Sequence, residues 1–309
     1  MKIIMYHYVR NSSNKLPYFR YLSLENFKKQ LDFLEDKFGF VNFKDFIELK
    51  NNMDYINKLK NKVLLTFDDG LKDHFNFVFP ELLKRNALGI FFMPTKVLHK
   101  EKALDVHRIH YLLGKMGGGI NKYALNLLDN DILNLKYHYL FEDYYNELDD
   151  DEQIKQFKLI FNYCIKDKYK EKILDELVNK FCSDDEIYTN FYLNEKELKI
   201  MYESEMIIGS HSENHINFLN LNKEEEVKEI ESSFQKLKDF IGPIKTFCYP
   251  YGEFSLYSKD ILLKNQVDFA FVSLTEYKKD IDIEDLLKNP YTLARYDCNE
   301  FKYGKANLG

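Results

Sequence analysis

The chain has 309 residues, 45% hydrophobic and 30% charged, the balance of a soluble globular protein with room for one large domain or two average ones. Its 12 Gly and 6 Pro are too few for a collagenous or low-complexity chain, and a net charge of −6 argues against a dominant nucleic-acid-binding surface. Residues 98–195 carry the whole of that acidic excess, and the remainder is formally neutral.

Taken in chain order, Lys2–Tyr6 reads as a short apolar strand. The opening run to His7 lacks the apolar core of a secretory signal, and no uncharged stretch is long enough to cross a bilayer. A cytoplasmic chain is expected, with the inner face of the membrane as one place of action. Ser23 is placed to cap a helix carrying Phe27, Leu31, Leu34 and Phe38 at helical spacing, with Gly39 to stop it. Val63–Phe67 has the pattern of a buried strand, ending abruptly in Asp68-Asp69-Gly70. A helix is expected from about Asp73 to Arg85, broken or bent near Pro80. Leu88–Met93 is the next strand, stopped by Pro94.

The alternation then pauses. From about Leu98 to Glu195 helical patterns dominate, and His107 and His110 within them read as structural, because no third ligand accompanies them. Strand and helix resume with Met206–Ser210, a helix capped by Asn222, strands near Thr246–Tyr249 and Asp268–Ser273, and a short strand before Arg295. This βα rhythm predicts an α/β fold with a mostly parallel sheet or barrel. The expected organisation is a single domain over 1–309, interrupted by a mostly helical insertion at about 98–195. Cys164, Cys182, Cys248 and Cys298 show no CxxC spacing and are expected as free, largely buried thiols.

Three segments stand out because each follows a predicted strand, where parallel β/α folds build their sites. In Thr66-Phe67-Asp68-Asp69-Gly70, two adjacent carboxylates diverge, so one can bind a metal while the other handles a proton. His211 and His215, in Ser210-His211-Ser212-Glu213-Asn214-His215, are spaced so that both imidazoles can meet one cation. The turn Tyr249-Pro250-Tyr251-Gly252 offers backbone N–H groups in a fixed geometry, suited to an oxyanion. Singly, each is also an ordinary turn or polar loop.

Together, TFDDG, HSENH and a later PYG in that order resemble the polysaccharide deacetylase family (carbohydrate esterase family 4, the NodB homology domain). Met5-Tyr6-His7-Tyr8-Val9 and Gly89-Ile90-Phe91-Phe92-Met93-Pro94 add to the resemblance, which covers about 1–97 and 200–296. It implies a distorted, seven-stranded TIM-like (β/α) barrel. It also implies a hydrolase that removes the N-acetyl group of an amino sugar, with Asp69, His211 and His215 holding a divalent metal, usually Zn2+. Asp68 would be the base, and the Tyr251 backbone N–H would stabilise the oxyanion. The implied partner is an N-acetylated sugar, nucleotide-linked, lipid-linked or oligomeric, with no nucleic acid; a homo-oligomer is a further option. A deformylase or other small-amide hydrolase, or a catalytically impaired carbohydrate-binding homologue, is the alternative.

Two departures from the family pattern stand out. Cys248 occupies the place of an arginine that orients the base, and Arg295 is the expected replacement. No histidine follows His215 to serve as the general acid; His7 is a candidate for that role or for sugar binding.

Overall fold

In the computed structural model, which describes residues 1–12, 14–99, 102–134, 151–273 and 280–306, two compact units can be distinguished. The first comprises Met1–Asn11, Tyr21–His99 and Phe191–Asn307; the second is built mainly from Ser12–Arg20 and Lys100–Asn190.

The first unit holds strands β1 (Lys2–Tyr6), β2 (Val9–Arg10), β3 (Leu22–Ser23), β4 (Val63–Phe67) and β5 (Gly89–Met93). It continues with β6 (Ile207–Ser210), β7 (Thr246–Cys248), β8 (Phe269–Val272), β9 (Leu293–Ala294) and β10 (Tyr296–Asp297). Eight of these form one sheet in the order β10-β1-β4-β5-β6-β7-β8-β9, parallel throughout. Only Arg295 separates β9 from β10. The segment 293–297 therefore pairs with β8 through Leu293 and Ala294, and with β1 through Tyr296 and Asp297. One chain segment thus closes the sheet, giving a distorted, near-closed (β/α) barrel whose eight strands make seven staves. The pair β2–β3 stands apart from it.

Side chains alternate along each strand, so a barrel strand covered on both sides must be apolar on both. Strands β4 and β5 are buried at every residue. Leu64, Ile90, Phe92, Cys248, Phe269, Phe271 and Leu293 fall in one core. Their neighbours Phe247, Tyr249, Ala270 and Val272 pack in another, with Ile230 and Phe234 of the helix Lys223–Lys236. Inward and outward positions thus separate with period two.

The expected capping is observed. Ser23 Oγ accepts the Asn26 N–H at 3.2 Å ahead of the helix Leu24–Lys37, and Asn222 forms a capping box with Glu225. The helix expected over Asp73–Arg85 is not uniform. A π-type turn occupies His74–Val78, and a regular helix runs over Phe79–Lys84 with Pro80 in its first turn. Pro80 has no N–H to donate, so the preceding turn widens instead of continuing as an α-helix.

The described elements of the second unit include the helices Asp105–Met116, Glu152–Leu159 and Asp167–Phe181. Arg108, 1% exposed on the first of these, pairs with Asp175 of the third at 2.5 Å and with Asp184, at the start of the next helix, at 3.3 Å. All four cysteines are free thiols, with Cys164 and Cys248 buried. Among the described residues no helix is long and apolar enough to cross a membrane.

Candidate active site

Period-two alternation explains which side chains meet at the barrel mouth. Leu64 faces inward, and Thr66 and Asp68 follow at steps of two; Ile207, Gly209 and His211 follow the same rule. Leu293 faces inward as well, which turns Arg295 the same way between β9 and β10. Asp68 and Arg295 are each 2% exposed. Arg295 Nη1 donates to Asp68 Oδ1 and Nη2 to Oδ2, both at 2.7 Å. Further donation to Thr66 Oγ1 (3.1 Å) and the Val272 carbonyl (3.3 Å) fixes the plane of the guanidinium. Burial alone would raise the Asp68 pKa; the charge and hydrogen bonds of Arg295 outweigh it and hold the carboxyl below its ordinary value. Cys248 lies against the same group, with Arg295 Nη2 at 3.1 Å from its sulfur. The guanidinium contacting Asp68 thus arrives from the last stave, over the small side chain that stands where an arginine was expected.

Asp69, His211 and His215 form the second part. Asp69 Oδ1 lies 3.5 Å from His211 Nε2 and 3.3 Å from His215 Nε2, and one ligand atom from each residue falls within 4.8 Å of the others. His211 Nδ1 is 2.7 Å from the Cys248 carbonyl oxygen, which can only accept, so Nδ1 carries the proton and Nε2 presents its lone pair. Burial, reinforced by the charge of His215, pushes the His211 pKa down to about 4, which keeps the ring neutral at physiological pH. A lone pair facing a carboxylate oxygen in a buried site is repulsive unless a cation lies between them. This chemistry fits a divalent metal: two imidazoles and a carboxylate are a catalytic zinc donor set. A second group, Asp68, His211 and Cys248, also falls within 4.8 Å, but Arg295 already contacts both Asp68 and Cys248.

The third segment forms a tight 3-10 turn, Pro250–Gly252, with Tyr251 at φ 59°. Gly252 has φ +74°, and a Cβ there would lie 2.9 Å from the Ser273 backbone nitrogen, so the position admits only glycine without rearrangement. The Tyr251 ring sits 5.1 Å from that of His215, centroid to centroid, which puts the turn beside the histidine pair. All six residues expected at the site therefore gather in the first unit. Asp68, Asp69 and Arg295 come from the ends of β4 and β9, and the other three from the loops after β6 and β7.

His7, which follows β1, places Nε2 at 3.9 Å from Asp68 Oδ2 and is 39% exposed. Its carbonyl accepts the Nε2–H of His74, a fully buried histidine whose pKa burial drives down to about 4. His74 carried no signal in the sequence beyond its place in the helix after the aspartate pair.

The family model for polysaccharide deacetylases matches residues 165–270, a span that contains the HSENH loop and the PYG turn. Over that third of the chain the sequence matches the polysaccharide deacetylase family. Its members are hydrolases of carbon–nitrogen bonds other than peptide bonds and act on N-acetylated sugars. The aspartate pair and Arg295 lie outside the matched span.

Solved structures share the fold over almost the whole chain. The deacetylase PplD of Streptococcus pyogenes, in complex with acetate, superposes with a TM-score of 0.58 at 15% identity, covering 96% of this chain and 91% of that one. A de-N-acetylase from Aggregatibacter actinomycetemcomitans gives 0.54 at 15% identity, with 95% and 93% covered. IcaB from Ammonifex degensii gives 0.51 at 18% identity, with 95% and 89% covered. No curated protein sequence matches the chain.

Proposed function

We propose that the chain is a metal-dependent deacetylase that hydrolyses the N-acetyl group of an amino sugar in a glycan or glycan precursor. The observation that carries this reading is the convergence of Asp69, His211 and His215 beside a carboxylate, Asp68, that Arg295 holds ionised. Asp69, His211 and His215 hold a divalent metal, Zn2+ by the chemistry of the donor set. When bound, the ion supplies Lewis acidity toward water and carbonyl oxygen.

The remaining work falls to the chain itself. Asp68, kept in its charged form, takes the proton of the attacking water. The Arg295 clamp fixes the direction of that carboxylate, so its lone pairs face the mouth of the barrel in one orientation. The Tyr251 backbone N–H donates to the oxygen that gains charge as the acetamide carbonyl becomes tetrahedral. His7, half-exposed and close to Asp68, delivers the proton the departing amine needs. Acetate and a free amino sugar leave.

Acetate release from N-acetylglucosamine oligomers in the presence of Zn2+ tests the assignment. Asp68→Asn lowers the rate by about 10²–10⁴-fold, and His7→Gln lowers turnover without changing metal uptake. Equal rates for wild type and Asp68→Asn would remove Asp68 from the role of base.

A further inference from the structure

A soluble helix normally turns its apolar stripe inward and its charges outward. The helix Lys223–Lys236 departs from this: Glu226, Glu229 and Ser233 are 0%, 7% and 0% exposed. Spacings of three and four residues put them in one row along the buried face.

Each member of that row holds a loop of the candidate site. Glu229 Oε2 accepts the backbone N–H groups of Glu213 (3.1 Å) and Asn214 (2.8 Å), and Oε1 accepts Asn214 Nδ2 (2.7 Å). Those two are, with Ser212, the three residues between His211 and His215. The Ser233 hydroxyl lies 2.6 Å from that of Ser210, whose oxygen accepts the Ser212 N–H at 3.2 Å. Ser212 Oγ accepts the His215 N–H at 3.0 Å. One turn earlier on the helix, Glu226 accepts the hydroxyls of Ser255 and Ser258, just beyond the Pro250–Gly252 turn.

The loop so held is one that needs holding. Ser212 (φ 61°) and His215 (φ 56°) both lie in the left-handed region, which costs free energy for residues with a Cβ. Without the three hydrogen bonds to Glu229, the segment would relax and the two imidazoles would lose their common focus.

Resting on the metal-site reading above, we propose that Glu229 is a positioning residue. It sets the metal affinity of Asp69, His211 and His215 by pre-forming the turn between the histidines, and Glu226 steadies the adjoining loop from the same helix face. Outer partners that orient ligands commonly govern affinity by about 10–100-fold. Glu229→Gln keeps the size of the side chain but removes its charge and one of its two acceptor oxygens, so it weakens the clamp with little change in volume.

The experiment is Zn2+ binding to metal-free protein by competition with a chromophoric chelator, alongside thermal melting. Glu229→Gln raises the dissociation constant about 10–100-fold, and Glu231→Gln, on the exposed side of the same helix, leaves it unchanged. Asn214→Ala, which removes one donor of the clamp and leaves the helix intact, raises it by a smaller factor and decides the matter if Glu229→Gln melts far below wild type. Wild-type affinity in a folded Glu229→Gln, or in Asn214→Ala where that variant decides, overturns this inference alone. A wild-type chain that takes up no Zn2+ overturns the metal-site reading and this inference with it.

Discussion

Arg295→Met strands a charge. Asp68 and Arg295 form a two-bonded pair at 2.7 Å, with side-chain exposures of 3% and 1%. Methionine fills much of the guanidinium's volume but leaves the carboxylate buried with no countercharge from the last stave. Breaking a buried pair by removing one partner costs about 3–5 kcal/mol, a large part of the ~5–15 kcal/mol that holds a typical domain folded. Asp68→Asn in the same chain removes the stranded charge and recovers much of the loss, so the double variant is more stable than the sum of the singles predicts. Urea unfolding at pH 7 of wild type, both singles and the double measures this. An Arg295→Met midpoint equal to wild type, or strictly additive costs, would show that the pair does not couple the last stave to β4.

The turn beside His215 makes a second test: Gly252→Ala forces a Cβ to within 2.3 Å of Ser273 Oγ at φ +74°, and a loss of about 1–3 kcal/mol is expected, read as a lower melting temperature; an unchanged melt would refute the packing described. In the second unit, burial pushes the Cys182 thiol up to about 11. Alkylation of the folded chain by iodoacetamide, followed by peptide mass spectrometry, should therefore be slow at pH 8 and rise about tenfold per pH unit; fast labelling of Cys182 at neutral pH would contradict it.

Short-range signals in the sequence survive into the structure because they act locally. Val63–Phe67 is a strand at the expected residues, and Ser23 and Asn222 cap the helices they precede. The three motifs could be placed because each follows a strand, and period-two alternation turns their side chains inward. Arg295 was legible only as one of five arginines after a late strand. Its contact with Asp68 spans 227 positions, and nothing local encodes that. The two-residue strands β2 and β3, and the break of the last stave at Arg295, are too short to leave a pattern. Glu226 and Glu229 were hidden for a different reason: a glutamate in a charged helix reads as solvated surface, and only the fold reveals that its partners are the N–H groups and hydroxyls of two loops.

The most direct test of the whole reading is a Zn2+ titration of the metal-free chain, with Asp69→Ala, His211→Ala and His215→Ala as comparisons. Three acceptor atoms within 4.8 Å in a buried site should take up one ion per chain. Each substitution should weaken binding strongly while the folded state persists. No uptake by the wild-type chain, or uptake undiminished in all three variants, would contradict the metal centre on which the proposed hydrolysis depends.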